Sequence, residues 1–150
     1  MTELKRIHVE NKLCRDCQAC VLACSLYHEG ECSLGLARLV VSKDMAKYEF
    51  NILICRHCEP PDCLLACPSD AMQVDDRGVV YIVDDACERC GFCAASCPYD
   101  AIFYNKNQDR YLKCDLCIGR EQGPLCVELC PVGALTVEAD VQKDFYEKCK

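Results

Sequence analysis

No apolar run in this chain approaches the roughly 20 residues that cross a bilayer. No apolar segment precedes its first cysteines either: the start, Met1-Thr2-Glu3-Leu4-Lys5-Arg6-Ile7-His8, is short and charged. The expectation is a chain without a direct membrane span or a cleavable leader, soluble or held to a membrane by partners. A Gly-rich phosphate loop and a nucleotide fingerprint are both missing, so nothing suggests a substrate site. Positive charge is also scarce: 17 Lys and Arg stand against 24 Asp and Glu, a formal net charge of −7. Nucleic acid, which needs a basic face, is a poor partner. An acidic molecule is better suited to docking on a protein surface of positive potential, although most of these acids simply make a solvated surface.

What the chain has in excess is cysteine, 18 in 150 residues. Sixteen fall into four groups of four: Cys14, Cys17, Cys20, Cys24; then Cys55, Cys58, Cys63, Cys67; then Cys87, Cys90, Cys93, Cys97; then Cys114, Cys117, Cys126, Cys130. The third is C-x2-C-x2-C-x3-C-P, the bacterial iron–sulfur run. In it three cysteines hold one cube and the fourth, here expected to start a helix, reaches the neighbouring cube. Two such motifs therefore make two clusters jointly. Three groups close with Cys-Pro, at Cys67-Pro68, Cys97-Pro98 and Cys130-Pro131; proline stops the ligand loop and fixes φ where the chain enters its next turn. A disulfide framework fits badly, because the triplets crowd three thiols too closely for relaxed bridges. Zinc can use two C-x2-C pairs but leaves the repeated x3-Cys-Pro closures unexplained. With about −2 for each [4Fe–4S]²⁺ core and its thiolates, four clusters would bring the charge to about −15.

The groups are an internal repeat. After its last cysteine, each of the later three reads Cys-Pro-x-[Asp/Gly]-Ala-apolar: Cys67 to Met72, Cys97 to Ile102 and Cys130 to Leu135. The first instead continues Ser25-Leu26-Tyr27-His28-Glu29-Gly30, a remodelled loop. Met72-Gln73-Val74 and Val79 to Val83 around Asp75-Asp76-Arg77-Gly78 predict a hairpin, and Leu36 to Ser42 with Tyr48 to Ile54 predict a second. Residues 55–104 thus resemble a complete two-cluster ferredoxin of motif, short helix, hairpin, motif, short helix and strand. The simplest assembly is α+β, two nested dicluster ferredoxin-like units with short helices and β-hairpins around four clusters. Residues 55–104 form the inner unit, 1–35 with 105–136 the outer unit, and 36–54 a connecting hairpin. In the tail, 137–150, Val141, Phe145 and Cys149 at i, i+4, i+8 suggest an amphipathic helix.

These residues carry a family likeness. From about Cys14 to Leu135 the chain resembles the four-cluster iron–sulfur subunits that accompany molybdenum or tungsten pterin oxidoreductases and some hydrogenases. The likeness rests on Cys55-Arg-His-Cys-Glu-Pro-Pro-Asp-Cys63, on Cys87 through Ala101, and above all on Lys113-Cys-Asp-Leu-Cys-Ile-Gly-Arg120 followed by Gly123-Pro-Leu-Cys-Val-Glu-Leu-Cys-Pro-Val-Gly-Ala134. The interval from Cys117 to Cys126 is shorter than the family's, which concerns one surface loop and leaves the ligands in place. The resemblance implies that motif one pairs with four and two with three. Cys14, Cys17, Cys20 and Cys130 would hold one cluster, and Cys114, Cys117, Cys126 and Cys24 its neighbour. Cys55, Cys58, Cys63 and Cys97 would hold the third, and Cys87, Cys90, Cys93 and Cys67 the fourth. The loop Ser25 to Gly30 with Leu36-Ala37-Arg38 looks like the subset found beside tungsten aldehyde oxidoreductases.

The implied function is electron transfer, with no catalysis of its own: single electrons pass between a large catalytic oxidoreductase subunit of tungsten or molybdenum pterin type and a further donor or acceptor protein. Two alternatives are a free diffusible polyferredoxin and a subunit of a hydrogenase or formate dehydrogenase; self-association would extend the wire. The expected location is the cytoplasm, although a leaderless subunit can travel folded with a signal-bearing partner. Outside the groups, Cys32 and Cys149 are expected as ordinary thiols, His57 as a hydrogen-bonding residue near a cluster, and His8 and His28 as surface residues. Tyr81, Tyr99, Phe103 and Tyr104 are expected to pack around the clusters and exclude water.

Apolar residues make up 51% of the chain, but that share includes the cysteines, so folding should lean on thiolate–iron bonds. Removing the clusters with a chelator is expected to abolish the cooperative thermal transition, followed by circular dichroism; a cluster-free chain that still melts cooperatively contradicts it.

Overall fold

The structure, a computed structural model, describes residues 6–138. Eight short strands form four two-stranded antiparallel ribbons, and four short helices lie between them. Strand β1 (Arg6–Val9) pairs with β8 (Leu135–Glu138), closing the described chain on itself with Ile7 opposite Val137. The hairpin of β2 (Val40–Asp44) and β3 (Glu49–Leu53) and that of β4 (Met72–Val74) and β5 (Val80–Ile82) lie where the alternating runs predict. A fourth ribbon joins β6 (Ile102–Asn105) to β7 (Arg110–Lys113), of which the sequence signals only the first strand. Helix α1 (Ala19–Glu29) packs on α4 (Leu125–Leu129), and α2 (Asp62–Leu65) packs on α3 (Phe92–Ser96). No described helix is long and apolar enough to cross a membrane.

The helices correct one expectation. The fourth cysteine of each group does not start a helix. In groups two to four the third cysteine lies inside the helix and the fourth follows at or just beyond its end, so the x3 spacing is one helical turn. Proline supplies the reason, because its ring disfavours the α region for the residue before it. Cys97 and Cys130 accordingly leave their helices in extended conformation, with ψ of 116° and 111°. Group one lacks the proline, and α1 runs past Cys24 for another turn to Glu29.

The repeat after each Cys-Pro now has a physical cause. Its Asp or Gly position is left-handed in all three copies: φ is 55° at Asp70, 49° at Asp100 and 66° at Gly133. Gly adopts this region freely, and Asp better than most residues. The Ala that follows has no room for a larger side chain, with exposures of 2% at Ala71, 0% at Ala101 and 1% at Ala134. The apolar residue after it, Met72, Ile102 or Leu135, is buried and opens a strand. Each repeat is thus a tight turn that delivers a buried strand from the end of a helix.

Two core clusters result. The larger joins Ile7, Val21, Leu39, Val41, Ile52, Ile54 and Leu135 with thiols from groups one, two and four; the smaller centres on Met72, Val80, Cys93 and Ile102. The β2–β3 hairpin belongs to the larger core and is tied to the chain start by Asn11, whose side-chain oxygen accepts the Ile52 N–H at 2.9 Å. Its first strand begins at Val40, not Leu36, because Ala37 and Leu39 are buried against the cysteines in irregular conformation. In the tail, Val137 and Glu138 belong to β8; the rest of the expected helix lies outside the described residues.

Gly91 and Gly133 are both left-handed, at φ 81° and 66°, but their surroundings differ. A Cβ on Gly133 meets nothing within 4 Å, whereas one on Gly91 would lie 2.7 Å from Tyr111 Oη. Gly133→Ala should cost only the backbone term, about 1–2 kcal/mol. Gly91→Ala should lower the thermal midpoint further, and adding Tyr111→Phe should restore it to the level of Gly133→Ala.

Candidate cluster-binding sites

In every group the second residue after the first cysteine is left-handed: Asp16, His57, Arg89 and Leu116, with φ between 48° and 57°. None is glycine, so each position carries backbone strain on the order of 1 kcal/mol. The bend curls the C-x2-C segment so that backbone N–H groups face sulfur. His57 N–H donates to Cys55 Sγ at 3.3 Å, and Leu116 N–H to Cys114 Sγ at 3.4 Å.

The thiols gather across motifs. Cys67 lines one cavity with Cys87, Cys90 and Cys93. A second cavity is lined by Cys55, Cys58 and Cys63 with Cys97. Elsewhere, Cys20 feels like-charge repulsion from Cys17, Cys130 and Cys14, and Cys126 from Cys24, Cys117 and Cys20. Helix α1 carries Cys20 and Cys24 one turn apart on one buried face. Among the described residues no three His, Cys, Asp or Glu side chains converge to hold a single ion. Thiols spread around a cavity suit the four corners of a cube, whereas zinc wants four donors on one point. Cys32 is exposed and stands apart from these sets; Cys149 lies outside the described residues.

Burial sets the chemistry of the donors. It pushes the Cys20, Cys24 and Cys63 thiols up to about 11 and raises Cys114 and Cys126 further. Bare thiolates are therefore unfavourable inside, and a positively charged iron core is the group that would hold them ionised. Cys67 and Cys130 behave differently. Burial raises them too, but hydrogen bonds outweigh it: from the Met72 N–H, the Ser69 hydroxyl and N–H and the Ala71 N–H around Cys67, and from the Leu135, Val132, Ala134 and Gly133 N–H groups around Cys130. The turns after Cys67 and Cys130 are thus cups of N–H donors around the sulfur. The donor set fits [4Fe–4S] clusters.

Residues around the sulfurs are partly as expected. His57 is 1% exposed, and its Nδ1 accepts the Val80 N–H at 3.0 Å. Burial, then the charges of Lys113 and Arg6, keep the ring neutral. Tyr99 lines the Cys55 cavity, with the Arg56 guanidinium 5.7 Å from its ring centre. Tyr81 and Tyr104 do not shield the thiol cavities: Tyr81 lines a separate cleft, and Tyr104 is exposed with its ring tilted against that of Tyr111. Tyr111 takes the shielding place beside Cys87, Cys90 and Cys93. It lies on β7, for which the sequence carries no strand signal.

His28 is the clearest departure. Its sequence context suggests the surface, yet its side chain is only 10% exposed and Nε2 lies 3.7 Å from Asp115 Oδ1, with Cys117 Sγ also at 3.7 Å. The longer α1 places it there. Asp115 also pairs with Arg38 at 2.7 Å and accepts the Cys117 N–H at 3.0 Å, while Arg38 N–H donates to Cys24 Sγ at 3.3 Å. The two segments distinctive in sequence, Ser25 to Gly30 and Leu36 to Arg38, therefore converge on one carboxylate beside the Cys24 and Cys117 sulfurs.

Comparisons with known proteins agree with this chemistry. Residues 46–140 match the 4Fe-4S dicluster domain family. The chain is 32% identical over 150 residues to the B subunit of anaerobic dimethyl sulfoxide reductase from Escherichia coli, covering 90% of this chain and 73% of that one. It is 29% identical to the thiosulfate reductase electron transfer subunit of Salmonella typhi, covering 89% and 77%. Among solved structures, the active site complex BamBC of benzoyl coenzyme A reductase with 1,5-dienoyl-CoA contains a chain of TM-score 0.56 and 29% identity, covering 96% and 82%.

Asp115→Ala would strand the partly buried Arg38 charge and the Cys117 N–H together. The expected loss is about 1–2 kcal/mol, seen as a lower thermal midpoint with iron retained, and Asp115→Asn should recover part of it.

Proposed function

Because the chain belongs to the 4Fe-4S dicluster domain family, we propose that it is the electron-transfer subunit of an oxidoreductase complex. It catalyses nothing alone and carries single electrons between a large molybdenum or tungsten pterin subunit and a further redox protein. The observation that carries this reading is the gathering of cysteines from two motifs into each cavity. We assign Cys14, Cys17, Cys20 and Cys130 to one cluster and Cys24, Cys114, Cys117 and Cys126 to the next. Cys55, Cys58, Cys63 and Cys97 hold a third, and Cys67, Cys87, Cys90 and Cys93 the fourth. Bound in this way, the four clusters supply one-electron redox chemistry with little nuclear movement.

The remaining work is the chain's own. Two ferredoxin-like units nest, residues 55–104 inside 1–35 and 105–136, with 36–54 as the joining hairpin; the pairing of β1 with β8, of α1 with α4 and of α2 with α3 supports this. The sites then follow one another in a line. Cys20 neighbours Cys126, Cys114 neighbours Cys55, and α2 with α3 supplies the step from the Cys63 site to the Cys93 site. Cys17 and Cys90 are exposed, which gives the line a solvent-near sulfur at each end for exchange with partners. A tungsten aldehyde oxidoreductase is the narrower choice of catalytic partner, supported by the Ser25 to Gly30 loop and Arg38. The cytoplasm, where thiols stay reduced, suits such a site.

Anaerobic purification should yield about 16 iron atoms per chain and a large co-purifying polypeptide. Roughly half that iron contradicts the assignment, and an unaccompanied monomer that reduces unrelated enzymes identifies a free polyferredoxin instead. Cys130→Ser should perturb the spectrum of the Cys14 site and spare that of the Cys114 site.

A further inference from the structure

Lys113 is 4% exposed, although lysine almost never is fully buried unless paired. Its Nζ donates to the Val80 carbonyl and to the Cys114 carbonyl at 2.9 Å. Among the described residues no carboxylate lies within ion-pair distance of it. The ion pairs of the described chain are made by other side chains, mostly near the surface. A buried cation without a counter-ion is costly, so something that carries negative charge has to stand near it.

Its surroundings identify that charge. Lys113 ends β7 and immediately precedes Cys114, while its side chain lines the cavity of Cys55, Cys58, Cys63 and Cys97. It is the strongest charge opposing the effect of burial on Cys63, and it acts in the same direction on Cys114. Cys55 and Cys114 in turn feel each other. Lys113 therefore stands at the joint where the cage of group two meets that of group four. The one carboxylate on the same cavity wall, Asp62, is exposed at its rim.

Resting on the four-cluster reading above, we infer that Lys113 is a fixed positive charge that holds up the reduction potential of the cluster on Cys55, Cys58, Cys63 and Cys97. It eases electron passage across the joint between the two nested units. Reduction there adds one electron, supplied by the donor protein or the titrant, and so one unit of negative charge. The buried side chain, fixed by its two carbonyl acceptors, stabilises the added charge through a poorly polarisable interior. Its hydrogen bonds hold it there: Val80 accepts from Lys113 through its carbonyl and donates its N–H to His57. Lys113 is a positioning and tuning residue, since nothing is transferred to it.

The test is an EPR-monitored redox titration of the full chain in its complex, for wild type, Lys113→Met, Lys113→Gln and Lys113→Arg, with iron analysis. Cys63→Ser identifies the signal of the group-two site. The Met and Gln variants should retain iron and shift that signal's midpoint down. The expected size is at least a tenfold change in the oxidised-to-reduced ratio at fixed potential, about 59 mV for one electron, while Arg keeps it in place. Iron loss in Met and Gln but not in Arg also upholds the role of the charge. Unmoved midpoints with full iron, an equal shift in Arg, or iron loss in all three variants overturn it. A wild type with about half of the 16 expected iron atoms overturns the four-cluster reading itself, which the iron analysis reports independently of any Lys113 variant.

Discussion

Sulfur brought into a protein interior sets the terms for everything else in this molecule. A thiolate there loses its hydration, and burial drives the thiols of Cys20, Cys24 and Cys63 up to about 11. Three devices answer that cost. The cysteines crowd around common cavities, where a metal core can neutralise several at once. Backbone N–H groups are turned toward the sulfurs at the left-handed residues His57 and Leu116 and in the cups after Cys67 and Cys130. Cations are then brought close, with Lys113 in the interior and Arg38 at its edge. The strands and helices are short because their task is to deliver these turns. Among the described residues, eight of the buried apolar side chains are themselves cysteines.

One missing residue differentiates the four repeats. Proline after the fourth cysteine ends a helix of four or five residues in groups two, three and four, whereas α1 runs for 11. The extra turn carries His28 to Cys117 and Glu29 to Arg110. Ser25 is completely buried there, bonding Leu22 and accepting from Ser33 to turn the chain back toward Arg38. A local backbone rule thus becomes an electrostatic difference between cluster sites, with Asp115, Arg38 and His28 beside one site and a neutral imidazole and a buried ammonium beside the next. Identical ligands in unlike surroundings are how a relay acquires unequal potentials.

The same geometry supports the proposal that so small a chain spans a distance electrically. In the wiring proposed above, helices α1 and α4, then α2 and α3, pass cysteines to adjoining sites from opposite ends of a single turn; the observed packing of α1 on α4 and of α2 on α3 would brace each neighbouring pair. Rigidity of that kind keeps spacings constant while electrons move. Of the sixteen grouped cysteines Cys17 and Cys90 are exposed and eight are buried, with Tyr99 and Tyr111 lining the two cavities of groups two and three.

The four cysteine groups, the repeat and the hairpins at 72–82 and 40–53 are legible in the sequence, because cysteine spacing, Cys-Pro closures and alternating apolar runs are local signals. The iron–sulfur chemistry follows from that spacing, and the family from the residues around it. The position of the short helices differs from the expected one by a single step, since the x3 interval itself is the helical turn that proline cuts off. Beyond that, tertiary structure decided what no local pattern carries. A histidine expected at the surface lies against a sulfur, β7 pairs in a stretch without alternation, and Tyr111 takes the place expected of Tyr104. Lys113 reads in sequence as one more charged residue of a motif and is buried between two thiol cages. Charge and burial are properties of neighbours far apart in the chain, so the candidate ligands were written in the sequence, and the buried and charged residues beside them emerged only when the chain closed on itself.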